Sequence, residues 1–188
     1  DRAPRPEAFK VLVIGAGLTG MAAAIKLDEA GYSYEVIEKN PEVGGTWYEN
    51  RYPGVGVDTP SHFYSFSWEI WPDWQHYHPQ GADMQRYMLD VADKYDVRRH
   101  MRFNTTVERL VYDNTSGLWT VTVRKSDGSN EDIVANAVIN GHGPVNRFKW
   151  PEIEGLKDFN GPVVHTADWP EDLDLKGKRV AGIGTAAS

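Results

Sequence analysis

The sequence contains no cysteine. That excludes disulfides, thiolate nucleophiles and cysteine-ligated metals, and it makes a cytoplasmic location the expectation. No apolar run approaches the roughly 18 residues of a membrane span, and Asp1–Glu7 lacks the pattern of a secretory leader. There is no basic block: 20 Lys and Arg stand against 27 Asp and Glu, for a net charge of −7. Nucleic acid and anionic membrane surfaces are therefore not expected as partners. Internal repeats and low-complexity segments are also lacking. What remains is 188 residues, 40% hydrophobic and 25% charged, an ordinary globular balance sized for one domain or one and a fraction. The chain has no initiator Met and stops directly after a strand-like run, which reads as part of a longer protein.

Lys10 to Ile14 is a short apolar run that ends at glycine, the mark of a buried parallel strand. Leu18, Ala22 and Ile25 follow at helical spacing, with Gly31 as the stop, and Tyr34 to Glu38 reads as a second strand. Pro41 to Pro79 is an aromatic, Gly- and Pro-rich loop, ordered on composition. Met84, Tyr87, Met88, Val91 and Tyr95 form a helical stripe. Val107 to Tyr112, Trp119 to Arg124 and Glu131 to Ala135 read as a three-stranded antiparallel meander, since Trp119, Val121 and Val123 alternate with threonines. Asn114–Gly117 and Asp127-Gly128 supply its turns. Ala137 to Asn140 and Arg179 to Ile183 read as further strands.

Gly15-Ala16-Gly17-Leu18-Thr19-Gly20 is G-x-G-x-x-G between a strand and a helix. In that pattern Gly15 permits the turn, Gly17 admits a pyrophosphate and Gly20 lets the helix pack closely. The helix mouth offers N–H groups and positive dipole character to phosphate. Glu38 ends the second strand and can accept hydrogen bonds from ribose hydroxyls while repelling a 2′-phosphate, which favours FAD or NAD over NADP. Gly44-Gly45-Thr46-Trp47 lets backbone approach a second stretch of a long cofactor. The aromatic loop, helix and meander stand where a simple dehydrogenase would continue alternating βα units. The arrangement resembles the two-dinucleotide-binding flavoproteins, so the expected fold is α/β: a Rossmann-like FAD-binding domain with an antiparallel β-meander insertion.

Phe159-Asn160-Gly161-Pro162-Val163-Val164-His165-Thr166-Ala167-Asp168-Trp169-Pro170 fits F-x-G-x-x-x-H-x-x-x-W-P, the signature of type I Baeyer–Villiger flavin monooxygenases. Gly44–Tyr48, Asn50–Gly54 and Asp58 resemble the same family, and Asp58–Tyr64 is similar to its 4-hydroxyacetophenone monooxygenase-like branch. The resemblance covers nearly the whole chain and the first third of a family member. It implies an FAD- and NADPH-dependent enzyme that inserts one oxygen atom of dioxygen next to a ketone carbonyl to give an ester or lactone. It also implies an FAD-binding domain over 1–145, a linker carrying the signature over 146–178 and the start of an NADPH-binding domain over 179–188. The alternatives are an N- or S-oxidising flavin monooxygenase, against which Trp169-Pro170 speaks, and a flavin-binding fragment without turnover on its own.

The resemblance implies that Gly15, Gly17, Thr19, Gly20 and Glu38 hold the AMP and pyrophosphate part of FAD. It places Gly45, Thr46 and Trp47 along the ribityl and flavin side, Asp58 (with a catalytic role) and Tyr64 near the isoalloxazine, and the Val107 backbone at the adenine end. Gly184 and Thr185 fall in the NADPH motif, where Ala186 replaces an expected glycine. Gly56-Val57 also departs from the family pattern. His165 is expected to be structural or at a hinge, and Gly141-His142-Gly143 to be the exit hinge from the FAD domain. His76 and His78 have no third partner at metal-ligand spacing. Trp68, Trp71 and Trp74 read either as packing or as a channel lining. Asp168, Glu171, Asp172 and Asp174 read as a solvated loop.

Overall fold

A computed structural model describes residues 9–145 and 147–184. The chain divides into two units, Asp1–Gly45 with Arg86–Pro144, and Thr46–Gln85 with Val145–Ser188.

In the first unit, β1 (Lys10–Ile14) leads through a glycine turn into α1 (Leu18–Glu29), then β2 (Ser33–Ile37). These join β3 (Met101–Arg102) and β7 (Ala137–Asn140) in a parallel sheet of order β3-β2-β1-β7. Val13 pairs with Val36 and Ile14 with Ile37, while Val11 faces Ala137. Leu12, Val13 and Val36 are wholly buried, as strands covered on both faces require. The helix buries Gly20, Met21, Ala24 and Ile25; of the expected Leu18, Ala22 and Ile25, only Ile25 is buried and the other two are half-buried. Alanines on both sides of the helix give too little contrast to fix its phase from sequence. It ends as read, at Gly31: the Gly31 N–H donates to the Asp28 carbonyl and the Tyr32 N–H to the Leu27 carbonyl. Gly31 has φ +71°, and together these make a Schellman cap.

The meander is β4 (Thr106–Asp113), β5 (Leu118–Arg124) and β6 (Asn130–Ala135), antiparallel in that order. Val121 and Val123 from β5 and Ile133 and Ala135 from β6 form one core cluster with Leu12 and Ile37, packed by Val107, Trp119 and Val138. The alternation in the sequence thus puts the valines on the sheet and the threonines outside. Lys10 N–H donates to the Asn136 side chain at 2.9 Å, and Asn136 N–H returns to the Lys10 carbonyl. A chain of charges adds to this tie: Lys10 and Arg102 both pair with Glu35, and Arg102 and Lys125 both pair with Glu131.

α3 (Gly81–Lys94) buries Met84, Tyr87, Met88 and Val91 of the expected stripe, while Tyr95 falls one residue past its end and is half-buried. The Asp83 carboxylate accepts from Gln80 N–H at its start, half of a capping box. In the second unit, α2 (Thr46–Glu49) is a single turn. Arg51 and Glu171 pair at 2.7 Å, and Trp71 packs edge-on against Trp74. Arg179 to Ile183 forms no strand, which corrects that expectation. Val180 and Ile183 are 62% and 65% exposed, and without a neighbour to complete its ladder an apolar run does not hold strand geometry. Asn146 and residues 185–188 lie outside the described residues.

Hydrogen bonding to Arg102, followed by its charge, holds the Glu131 carboxyl below the usual glutamate range. A carboxyl depressed in the folded state contributes stability above its unfolded pKa and loses it as pH falls through the folded value. Acidification below about pH 4.3 should therefore lower the melting temperature more in the parent protein than in Glu131→Gln. Parallel acid melting curves would contradict this tie.

Candidate functional site

The first-unit site grows from the turn between β1 and α1. Gly15 has φ +88°, a conformation that favours glycine. A Cβ on Gly20 would lie 1.7 Å from the Gly15 carbonyl oxygen, so the helix reaches the turn only because that position is bare. Gly17 differs. It caps α1 with φ −77° and ψ −170°, makes no side-chain cap, and a Cβ there would meet only the Gly45 Cα, at an ordinary 3.6 Å. The fold therefore accounts for Gly15 and Gly20 but not for Gly17, whose small size keeps the space at the helix mouth open.

Glu38 is buried and lies at this mouth. One carboxylate oxygen accepts from Ala16 N–H at 2.6 Å and the other from Asn40 N–H at 2.8 Å. These two bonds fix the carboxylate plane beside residue 16. Thr19 is exposed in the first turn of α1. Gly45 has φ +55°, and a Cβ on it would come within 3.0 Å of the Gly17 Cα, so the second glycine pair lies against the first. No acidic side chain occupies the first turn of α1, and the leading N–H groups of a helix have no intrahelical acceptors. A bent diphosphate with an attached ribose fits this donor set: amides and a positive helix end for the phosphates, a fixed carboxylate for the sugar.

Val107 sits in β4 at a bulge, where the pairing with β5 shifts between Val107 and Arg109. In the second unit, Thr46 opens α2 and is exposed, Trp47 packs edge-on against Tyr64 at 5.7 Å, and Asp58 is exposed. Burial pushes the Tyr64 hydroxyl up; a hydrogen bond with Trp47 opposes this and the nearby Asp58 charge adds to it. These three side chains therefore share one neighbourhood. Gly184 is exposed with φ +129°, and Thr185 lies outside the described residues. His165 stacks on Phe148 at 4.4 Å, meets Trp150 edge-on, and accepts from Ala167 N–H through Nδ1. Its ring is held as a structural cap for the turn Thr166–Asp168. His76 pairs with Asp83 at 2.7 Å. Among the described residues no three His, Asp or Glu side chains cluster as metal ligands, and no helix is long and apolar enough to cross a membrane.

The sequence marks Gly141 only as part of a hinge, yet it belongs to the turn. Its N–H donates to the Ile14 carbonyl, and a Cβ there would lie 2.9 Å from that carbonyl oxygen and 3.2 Å from Gly20 N. The sequence signal was its place one residue after β7, beside the end of β1.

The fold and this turn define a Rossmann-type dinucleotide-binding unit with an inserted meander, and residues 13–79 match the family model described as NAD(P)-binding Rossmann-like domain. Over nearly its whole length the chain is similar to part of the FAD-binding monooxygenases, Baeyer–Villiger enzymes among them. It is 40% identical over 184 residues to a Baeyer–Villiger monooxygenase of Streptomyces coelicolor, covering 97% of this chain and 34% of that protein. It is 39% identical over 187 residues to an FAD-binding monooxygenase of Aspergillus terreus, covering 97% of this chain and 33% of that protein. Cyclohexanone monooxygenase crystallised with ε-caprolactone matches with a TM-score of 0.84 at 38% identity, covering 95% of this chain and 35% of the other. The chain thus spans about a third of the length of these relatives.

The two kinds of glycine should separate by stability. Gly20→Ala forces the helix off the turn and should cost about 3 kcal/mol. Gly17→Ala meets an allowed backbone and should cost about 1 kcal/mol or less. Chemical denaturation measures both, and equal losses would refute the distinction.

Proposed function

We propose that this chain holds FAD across the Gly15–Gly20 turn, within a protein that carries out Baeyer–Villiger oxidation. The observation that carries this reading is Gly17, a glycine at an open helix mouth beside a fixed carboxylate, with no packing reason to be glycine. The backbone amides at the start of α1 would bind the diphosphate, with Thr19 at its rim. Glu38, already held by Ala16 and Asn40 N–H groups, would present its carboxylate to the adenosine ribose. Gly45, Thr46 and Trp47 would follow the cofactor toward its flavin end, with Asp58 and Tyr64 beside the isoalloxazine, and the Val107 backbone would meet the adenine.

Bound there, FAD supplies the redox chemistry, with NADPH as reductant and dioxygen as oxidant. The outcome is insertion of one oxygen atom next to a ketone carbonyl, giving an ester or lactone. Asp58 would place charge at the flavin end, while the Trp47–Tyr64 pair would exclude water. The solved relatives support the cofactor pair: one is OTEMO in complex with FAD and NADP, another an oxidized steroid monooxygenase bound to NADP. We assign 1–145 to the FAD domain, 146–178 to a linker and 179–188 to the start of an NADPH-binding domain, with Gly184 and Thr185 as its phosphate turn. A cytoplasmic setting and small ketone substrates complete the reading.

Titration of the chain with FAD, followed by flavin fluorescence, tests the cofactor assignment. The parent should bind FAD, and Gly17→Ala, whose methyl group would crowd the pyrophosphate, should weaken binding about tenfold or more at nearly unchanged stability. No flavin binding by the parent, or equal affinity in the variant, would sink it. In the longer enzyme, Asp58→Ala should slow ketone oxygenation more than it weakens FAD binding, as parallel turnover and binding assays would read. Equal losses would remove the role given to Asp58.

A further inference from the structure

The Gly44-Gly45 turn has little stiffness of its own. Gly44 has φ +131° and Gly45 φ +55°, and two consecutive glycines leave the backbone wide freedom. Yet this turn lies against the helix mouth, with Gly44 N–H donating to the Ala16 carbonyl at 3.0 Å and Gly45 touching Gly17. Something must hold the turn there, and the residues just before it do. Val43 is fully buried. Glu42 accepts two hydrogen bonds on one carboxylate oxygen, from Val43 N–H at 2.7 Å and from Arg98 Nη1 at 2.6 Å.

Arg98 is itself braced. It follows the fully buried Val97, and its Nε donates to Asp93 at 2.7 Å on the last turn of α3. The Arg98 and Glu42 side chains are each only 30% exposed, so their bond is charge-assisted and partly shielded, unlike a fully solvated pair. Asp93, by contrast, is 68% exposed. Arg98 therefore has one arm directed to the glycine turn and one to solvent.

We propose that Arg98, acting through Glu42, is a positioning residue that sets the Gly44-Gly45 turn against the start of α1 and so sets the affinity for the FAD diphosphate. The proposal rests on the FAD reading given above. It makes the two arms of one guanidinium unequal: losing Glu42 frees the turn, and losing Asp93 does not.

The test uses the whole chain, with Arg98→Met, Arg98→Lys, Glu42→Gln and Asp93→Asn. Three quantities are measured: FAD affinity by fluorescence titration, melting temperature without cofactor, and amide hydrogen exchange at Gly44 without cofactor. Arg98→Met and Glu42→Gln should each weaken FAD binding about tenfold and speed Gly44 exchange by a similar factor. Arg98→Lys should recover part of the loss, and Asp93→Asn should bind FAD as the parent does. A merely structural role would make affinity follow melting temperature in every variant, Asp93→Asn included, and would overturn the proposal. Unchanged affinity in both Glu42→Gln and Arg98→Met would do the same. If Arg98→Met fails to fold, Glu42→Gln against Asp93→Asn decides. Should the parent bind no FAD, the FAD reading falls; the exchange rates still judge the anchor, and unchanged Gly44 protection in Glu42→Gln would overturn it.

Discussion

The first unit is organised by one close approach, the helix backbone at Gly20 against the carbonyl of Gly15. Sterics rather than attraction make this contact decisive: a single methyl group would prise α1 from the sheet. Because the helix starts so near the strand ends, Ala16 N–H reaches the Glu38 carboxylate at 2.6 Å, and the Gly141 backbone closes the other side. Three strands thus converge on one helix terminus. Every group held there inherits its position from that spacing, which is how a backbone constraint becomes a place for charge to be received.

The meander supplies the weight that keeps this arrangement still. Its valines and isoleucine bury apolar area against Leu12 and Ile37, the non-directional part of the stabilisation. The Lys10–Asn136 bonds and the Glu35–Arg102–Glu131 chain add direction. A purely apolar face would tolerate sliding by two residues, since strand periodicity repeats at that interval. Polar ties at fixed atoms do not tolerate it, and so one register is selected.

Much of the fold was legible because the signals were local. Parallel strands buried on both faces leave unbroken apolar runs, and β5 shows its alternation plainly from Trp119 to Val123. The two-residue strand β3 is too short to leave a period. The phase of α1 was hidden by alanines. Arg179 to Ile183 has strand composition without strand form, because pairing is a property of two segments and not of one. For the candidate site, the glycine motif and Glu38 could be read in sequence, and the structure sets Glu38 beside the turn. Gly141 and Arg98 could not be read that way, since each acts on residues far away along the chain. The flavin-side residues, Thr46, Trp47, Asp58 and Tyr64, were named by resemblance. Of these, the structure brings Trp47, Asp58 and Tyr64 into a common setting, and the meander places Val107 at its bulge.

The irregularity at Val107–Arg109 also bears on how the protein meets its neighbours in a crowded solution. β4 is one of the two edge strands of the meander among the described residues, and Leu110, Val111 and Tyr112 are all substantially exposed along it. A long, flat, greasy outer strand invites foreign chains to add themselves to the ladder. Here the extra residue bends the strand and interrupts the regular row of donors and acceptors, while Glu108 and Arg109 put charge beside it. The kink therefore shortens the template available for cross-β growth to the few residues beyond it.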